Sequence, residues 1–81
     1  MECILCHGQA TDRHHIFGGA NRQLSEKYGL TVYLCRNCHR EVHDHPNQGA
    51  DLCLKRIGQK MFERDHDRED FRRIFERDYL G

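Results

Sequence analysis

The 81-residue sequence has no tryptophan, a single proline and no long apolar run, and its 13 Lys plus Arg match its 13 Asp plus Glu. Without a stretch of about 20 apolar residues, no segment can cross a bilayer as a helix. A formal net charge of zero excludes a generic polyanion binder, so any nucleic-acid contact must be local. With 37% hydrophobic residues, four Phe and three Tyr, the core must be small. A chain this short buries too little apolar surface to be comfortably stable on its core alone. A staple is therefore expected, in the form of a metal, a partner chain or both. The opening "MECILCHGQA" has neither the basic start nor the apolar stretch of a secretory signal, so the expected location is cytoplasmic and the protein soluble. No low-complexity linker and no solenoid-length repeat interrupts the chain.

Cysteine and histidine are plentiful instead, at five and seven residues. In an intracellular setting, cysteines read as zinc ligands or thiols rather than disulfides. Cys3 and Cys6 form one Cys-x-x-Cys, and Cys35 and Cys38 form a second. Each two-residue spacer lets both sulfurs of a knuckle reach one ion, so the pairs match a tetrahedral structural zinc site. Such a site is closed to substrate, and this zinc is read as a staple. His7, next to the first knuckle, reads as a surface imidazole. Cys53 has no ligand partner at suitable spacing and reads as a small buried hydrophobe.

The histidines suggest a second ion. In "CHREVHDH", His39 and His43 stand four residues apart, which puts both rings on one face of a helix. In "RHHIF", neighbouring residues of an extended strand point to opposite faces, so His14 and His15 cannot share a task. His14 is expected to add a third ligand, while His15 points towards substrate. Three protein ligands with open positions make a catalytic rather than a structural arrangement. His15 is then the candidate general base, since an imidazole titrates near neutrality.

The chain changes character near "DHPNQGAD": every paired cysteine precedes it, and His66 alone of the histidines follows it. Before it are expected a knuckle, an extended "RHHIF", a loop or short helix through "GGANRQLSEKYG" and a strand "LTVYLC". That strand turns Val32 and Leu34 to one face and Thr31 and Tyr33 to the other. A helix should begin near "NCHREVHD" and end before Pro46. Two further helices follow. In "ADLCLKRIGQKMFERD", Leu54, Ile57 and Met61, widened by Leu52 and Phe62, form an apolar stripe, and Gly58 marks close packing. In "DREDFRRIFERDYL", Asp67 caps the start, Glu69 and Asp70 suit the first turn, and Phe71, Ile74, Phe75 and Tyr79 form the buried side.

The order of knuckle, "HHI", a strand ending "LC", "CH" and a further histidine resembles the HNH endonucleases, in the subclass stapled by a four-cysteine zinc. The resemblance covers residues 3–43. It implies a small zinc-stapled ββα-metal core, treble-clef-like, over 1–46; with the two C-terminal helices read above over 47–81, and a length of one domain, the expected fold is α+β. It further implies His15 as general base, and His14, His39 and His43 as ligands of one catalytic divalent ion. Imidazole ligands make magnesium unusual there, so manganese, nickel and zinc are candidates beside it. The implied reaction is hydrolysis of DNA phosphodiester bonds, of the sort encoded by compact phage genes.

The family's middle asparagine has no counterpart in "GLTVYLC", where Leu30 or Thr31 stands, and Asn21 is the candidate to replace it. Arg13, Arg22 and Arg40, among the basic residues flanking the motifs, are candidates for phosphate contact. Neutral charge and the displaced asparagine sustain a second reading, a non-catalytic zinc module that binds nucleic acid or protein. A larger protein partner supplying specificity, and either a monomer or a homodimer, are compatible with both readings.

Overall fold

The computed structural model describes residues 1–81. Strands β1 (Asp12–His15) and β2 (Thr31–Leu34) form an antiparallel hairpin in which Asp12 faces Leu34, Arg13 faces Tyr33, His14 faces Val32 and His15 faces Thr31. Opposed residues of a ladder share a face and successive ones alternate. Buried Val32 and Leu34 therefore fix Asp12 and His14 to the inner side, and Arg13 and His15 fall on the other with the exposed Tyr33. The connection contains a 3-10 turn at Gly19–Asn21 and the helix α1 (Arg22–Lys27). Gly19 enters the turn at φ 57°, a left-handed conformation that glycine adopts without strain.

Helix α2 (Arg36–Asp44) follows β2 directly. Its N-cap is Cys35, whose thiol accepts the backbone N–H of Cys38, so the second knuckle is also the first turn of the helix. Pro46 lies just past the end of α2, as a proline must when it cannot continue a helix. Helices α3 (Gly49–Phe62) and α4 (Arg68–Phe75) complete an α+β fold of one hairpin, four helices and a clustered four-cysteine group. No helix is long and apolar enough to cross a membrane. The core gathers Cys3, Ile16, Phe17, Leu30, Val32, Leu34 and Val42 with Leu54, Phe62, Phe71 and Phe75, so both C-terminal helices share one apolar cluster with the hairpin.

Three expectations for the C-terminal half need correction. The buried face of α3 holds Asp51, Leu54, Gly58, Gln59 and Phe62, while Ile57 and Met61 are only partly covered. Gly58 sets this rotation: a Cβ there would lie 2.8 Å from Ile16 Cγ2 and 2.9 Å from Phe17 Cε2, so only a glycine admits this close approach to the end of β1. Asp51 and Gln59 tolerate burial because each is hydrogen-bonded, Asp51 to Lys55 and the Asn47 N–H, Gln59 to Glu63, Asp78 and the Tyr79 N–H.

Cys53, read as buried, is exposed, because the same rotation turns position 53 to solvent. Helix α4 starts as expected, with Asp67 accepting the Asp70 N–H, but it stops at Phe75 rather than continuing to Leu80. Glu76 takes a left-handed conformation, and the tail folds back so that Asp78 meets Arg72 and Gln59 while the Tyr79 carbonyl accepts from Arg56. Side-chain partners on α3 and α4 outcompete another helical turn.

Candidate metal centres

The hairpin and α2 together assemble two groups of ligands. Cys3 and Cys6 lie on the N-terminal knuckle, which closes on itself through Cys3 N–H to Gly8 C=O at 2.7 Å and His7 N–H to Cys3 C=O at 2.9 Å. Cys35 and Cys38 lie at the start of α2, and the sulfurs of all four lie within 4.8 Å of one another. The Cys6 and Cys35 sulfurs are 3.6 Å apart. Two sulfurs each about 2.3 Å from a tetrahedral ion would lie about 3.8 Å apart, so the group has the dimensions of a structural zinc site.

Its electrostatics point the same way. Burial pushes the Cys3 thiol up, but the N–H groups of Cys6, Cys35 and Leu5 aimed at its sulfur outweigh burial and hold it down at about 6. The Gly8 N–H favours the Cys6 thiolate, yet the neighbouring Cys35 and Cys3 reverse this and leave Cys6 raised. Cys38 is pushed up to about 12, first by its hydrogen bond with Cys35 and then by burial. Four thiols this close cannot all shed their protons without a cation among them. The positive end of the α2 dipole supplies part of that charge, and a divalent ion fits the rest.

The second group is His14 from β1 with His39 and His43 from α2, one ring nitrogen of each lying within 4.8 Å of the others. His14 is buried, and its Nε2 has no hydrogen-bond partner. An orphaned polar atom in a protein interior costs about 1–3 kcal/mol, which a metal bond would remove. Burial, followed by the charges of His39 and His43, lowers the His14 pKa to about 4, so its ring is neutral, the form that ligates metals.

His39 is oriented from behind: its Nδ1–H donates to Asp12 Oδ2 at 2.9 Å, leaving the Nε2 lone pair facing the triad. That hydrogen bond from His39 holds the Asp12 carboxyl below its usual range. A carboxylate behind a ligating imidazole is the common way to fix its tautomer and raise its basicity. His39 Nε2 and His43 Nε2 stand 3.0 Å apart. The pair can share a proton at that spacing, and two nitrogens each about 2.1 Å from one ion at right angles would be separated by the same distance.

His15 lies on the other face of β1, where its Nε2 meets Glu26 Oε2 of α1 at 2.6 Å. Arg13, on the same face, reaches both oxygens of Glu26 at 3.1 Å. Arg13 and then His15 hold the Glu26 carboxyl below its ordinary value, so it is ionised and only accepts. His14, His15, His39 and His43 all border an open cleft of about 460 Å³, whose far wall is Asp51 and Lys55 of α3. Lys55 is paired with Asp51 at 2.8 Å, and Arg13 is committed to Glu26. Arg22 borders the cleft and makes no ion pair.

The structure thus brings together both sequence-assigned ligand sets and sets His15 beside them. Asn21 is not among the residues bordering the cleft: it caps the start of α1 without a side-chain hydrogen bond there. Arg40 is exposed on α2 and is not among the residues bordering the cleft. Sequence reasoning missed Asp12, Glu26, Asp51 and Lys55. Asp12 was within reach, since residues two apart on a strand share a face and Asp12 precedes His14 by two. Compared with protein-family models, curated proteins and solved structures, the chain matches none of them. Its own geometry carries the functional reading.

Proposed function

We propose that the protein is a metal-dependent endonuclease of HNH type that hydrolyses DNA phosphodiester bonds. The observation that carries this is the split of adjacent histidines: His14 turns to His39 and His43 with a buried, unpartnered Nε2, while His15 turns to the opposite face beside the same cleft. A divalent ion held by His14, His39 and His43 would supply positive charge against the phosphate and the leaving oxygen.

The chain's own residues do the rest. His15 takes a proton from water as the water oxygen bonds to phosphorus; the bond from phosphorus to the leaving oxygen breaks, and that oxygen is protonated by solvent. Arg22 is the cation free to meet a backbone phosphate in the cleft. Arg40 would contact phosphates only beyond it.

The test is relaxation of supercoiled plasmid in magnesium, manganese, nickel and zinc, by the wild type and by His15→Ala, with the four-cysteine zinc verified in both. Cleavage by the wild type, reduced by about 10²–10⁴-fold in the variant, is the expected result for loss of a general base. Absence of cleavage by a folded wild type in every metal would overturn the proposal.

One observation favours a second reading, a zinc module that binds nucleic acid or protein without cutting. The chain has no net charge, and Glu26 neutralises Arg13 beside the site. Under that reading metal analysis finds one ion per chain, even after manganese or nickel is supplied.

A further inference from the structure

The HNH resemblance places a bracing asparagine behind the general base, and this chain has none in the expected stretch. Asn21, the sequence's candidate, makes no side-chain hydrogen bond at the start of α1 and does not border the cleft. His15 nevertheless has a partner, and it comes from a different element.

We infer that Glu26 is the positioning residue for His15: its carboxylate fixes the imidazole as the Nε2–H tautomer and leaves Nδ1 as the atom that accepts the water proton. This rests on the hydrolytic reading of the site and adds the residue that orients its base. The chemistry of the contact is one-sided. Glu26 offers only lone pairs to the 2.6 Å contact, so His15 must carry an N–H on Nε2, and in the one-proton form of the ring that acts as a base this leaves Nδ1 bare. His15 Nδ1 makes no hydrogen bond within the protein and is not a buried, unpartnered atom, so it is open to solvent.

Glu26 is itself held. Arg13 grips both its oxygens at 3.1 Å, which fixes the plane of the carboxylate. The preceding residue, Ser25, is fully buried; its hydroxyl accepts the Phe17 N–H at 2.9 Å and donates to the Phe17 carbonyl at 2.8 Å. The Leu30 N–H closes the other side by donating to the Ser25 carbonyl at 2.8 Å. Helix α1 is thereby bonded to the chain just beyond β1 and to the residue leading into β2. Ser25 braces the loop, and Glu26 orients the base. When His15 takes the proton from water, the carboxylate also faces the resulting imidazolium and stabilises it, as the acid of a catalytic triad does for its histidine.

The decisive measurement is the tautomer of His15, read from its ring nitrogen shifts by NMR in zinc-loaded protein, at a pH where those shifts themselves show a single ring N–H. The wild type should show Nε2 protonated and Nδ1 bare. Glu26→Leu should give a mixture of tautomers, whereas Glu26→Gln, whose amide oxygen still accepts, should keep the wild-type one. An Nδ1–H tautomer in the wild type, or a tautomer unchanged in Glu26→Leu, overturns the inference. Glu26 is exposed, so both variants should fold, and Glu26→Gln stays informative should Glu26→Leu not.

Cleavage kinetics give the second readout. Glu26→Leu should lower kcat by about 10²–10⁴-fold with little change in KM, the range of a general base placed out of geometry. Glu26→Gln should fall between it and the wild type, and Arg13→Gln, which leaves the Glu26–His15 bond, should lose far less. Equal cleavage by wild type and Glu26→Leu overturns the inference and leaves the nuclease standing. No cleavage by the wild type, with a tautomer that depends on Glu26, overturns the nuclease and leaves the orientation of His15 by Glu26 standing.

Discussion

Alternation along β1 lets four consecutive residues serve two purposes. Asp12 and His14 turn inward to α2, and Arg13 and His15 turn outward to α1. That much was legible in "DRHH", because a strand has a period of two whatever surrounds it. The contact of Asp12 with His39 follows from the same rule, for Asp12 shares the face of His14. Glu26 was not legible: its contact spans 11 residues, through a turn whose path the local sequence does not dictate. Asp12→Asn keeps the side-chain shape but removes the charge behind His39. The binding of manganese or nickel at the histidine triad, measured by calorimetry with the four-cysteine site filled by zinc, should weaken by about 10–100-fold. An unchanged affinity would separate Asp12 from the metal centre.

At the scale of elements, α3 matters because of what it touches. Its Gly58 lies against Ile16 and Phe17, the two residues that follow His15, and Phe17 is in turn surrounded by the rings of Phe71, Phe75 and Tyr79. The C-terminal helices thus press on the end of the strand that carries both site histidines. Close packing at Gly58 was legible as a glycine inside a helical stripe. The rotation of α3 was not, since it depends on Asp51 and Gln59 finding partners in Lys55 and the folded-back tail. Two effects compete in Gly58→Ala. Higher helix propensity stabilises by about 1 kcal/mol, while overpacking in a filled core costs about 1–3 kcal/mol. With the new Cβ at 2.8 Å from Ile16 and 2.9 Å from Phe17, overpacking should win. Thermal unfolding of the zinc-loaded variant should show a lower Tm, and a higher one would mean that β1 gives way more easily than this packing implies.

For the whole molecule, the decisive fact is that one nine-residue helix serves both candidate ligand groups: Cys38 in the first turn of α2, with Cys35 as its cap, then His39 and His43 further along. The two centres are therefore not energetically equivalent. The cysteine group ties the N-terminal knuckle to the start of α2, and removing its ion leaves crowded thiols with nothing to hold them together. Structural zinc contributes on the order of 10–16 kcal/mol in small zinc domains, as much as or more than the roughly 5–15 kcal/mol by which a domain is stable at all. The histidine triad joins β1 to α2, but those elements are already held by buried Val32, Leu34 and Val42. A weak chelator should strip the triad with no change in circular dichroism. A strong one should strip the cysteine site, unfold the chain and abolish metal binding at the histidines as well. His14→Ala should separate the two: one zinc per chain is retained, the helical signal is unchanged, and manganese no longer binds. If zinc could be withdrawn from the cysteines while α2 stayed folded and the triad still bound metal, the two centres would be independent, and zinc would not be what holds this small core together.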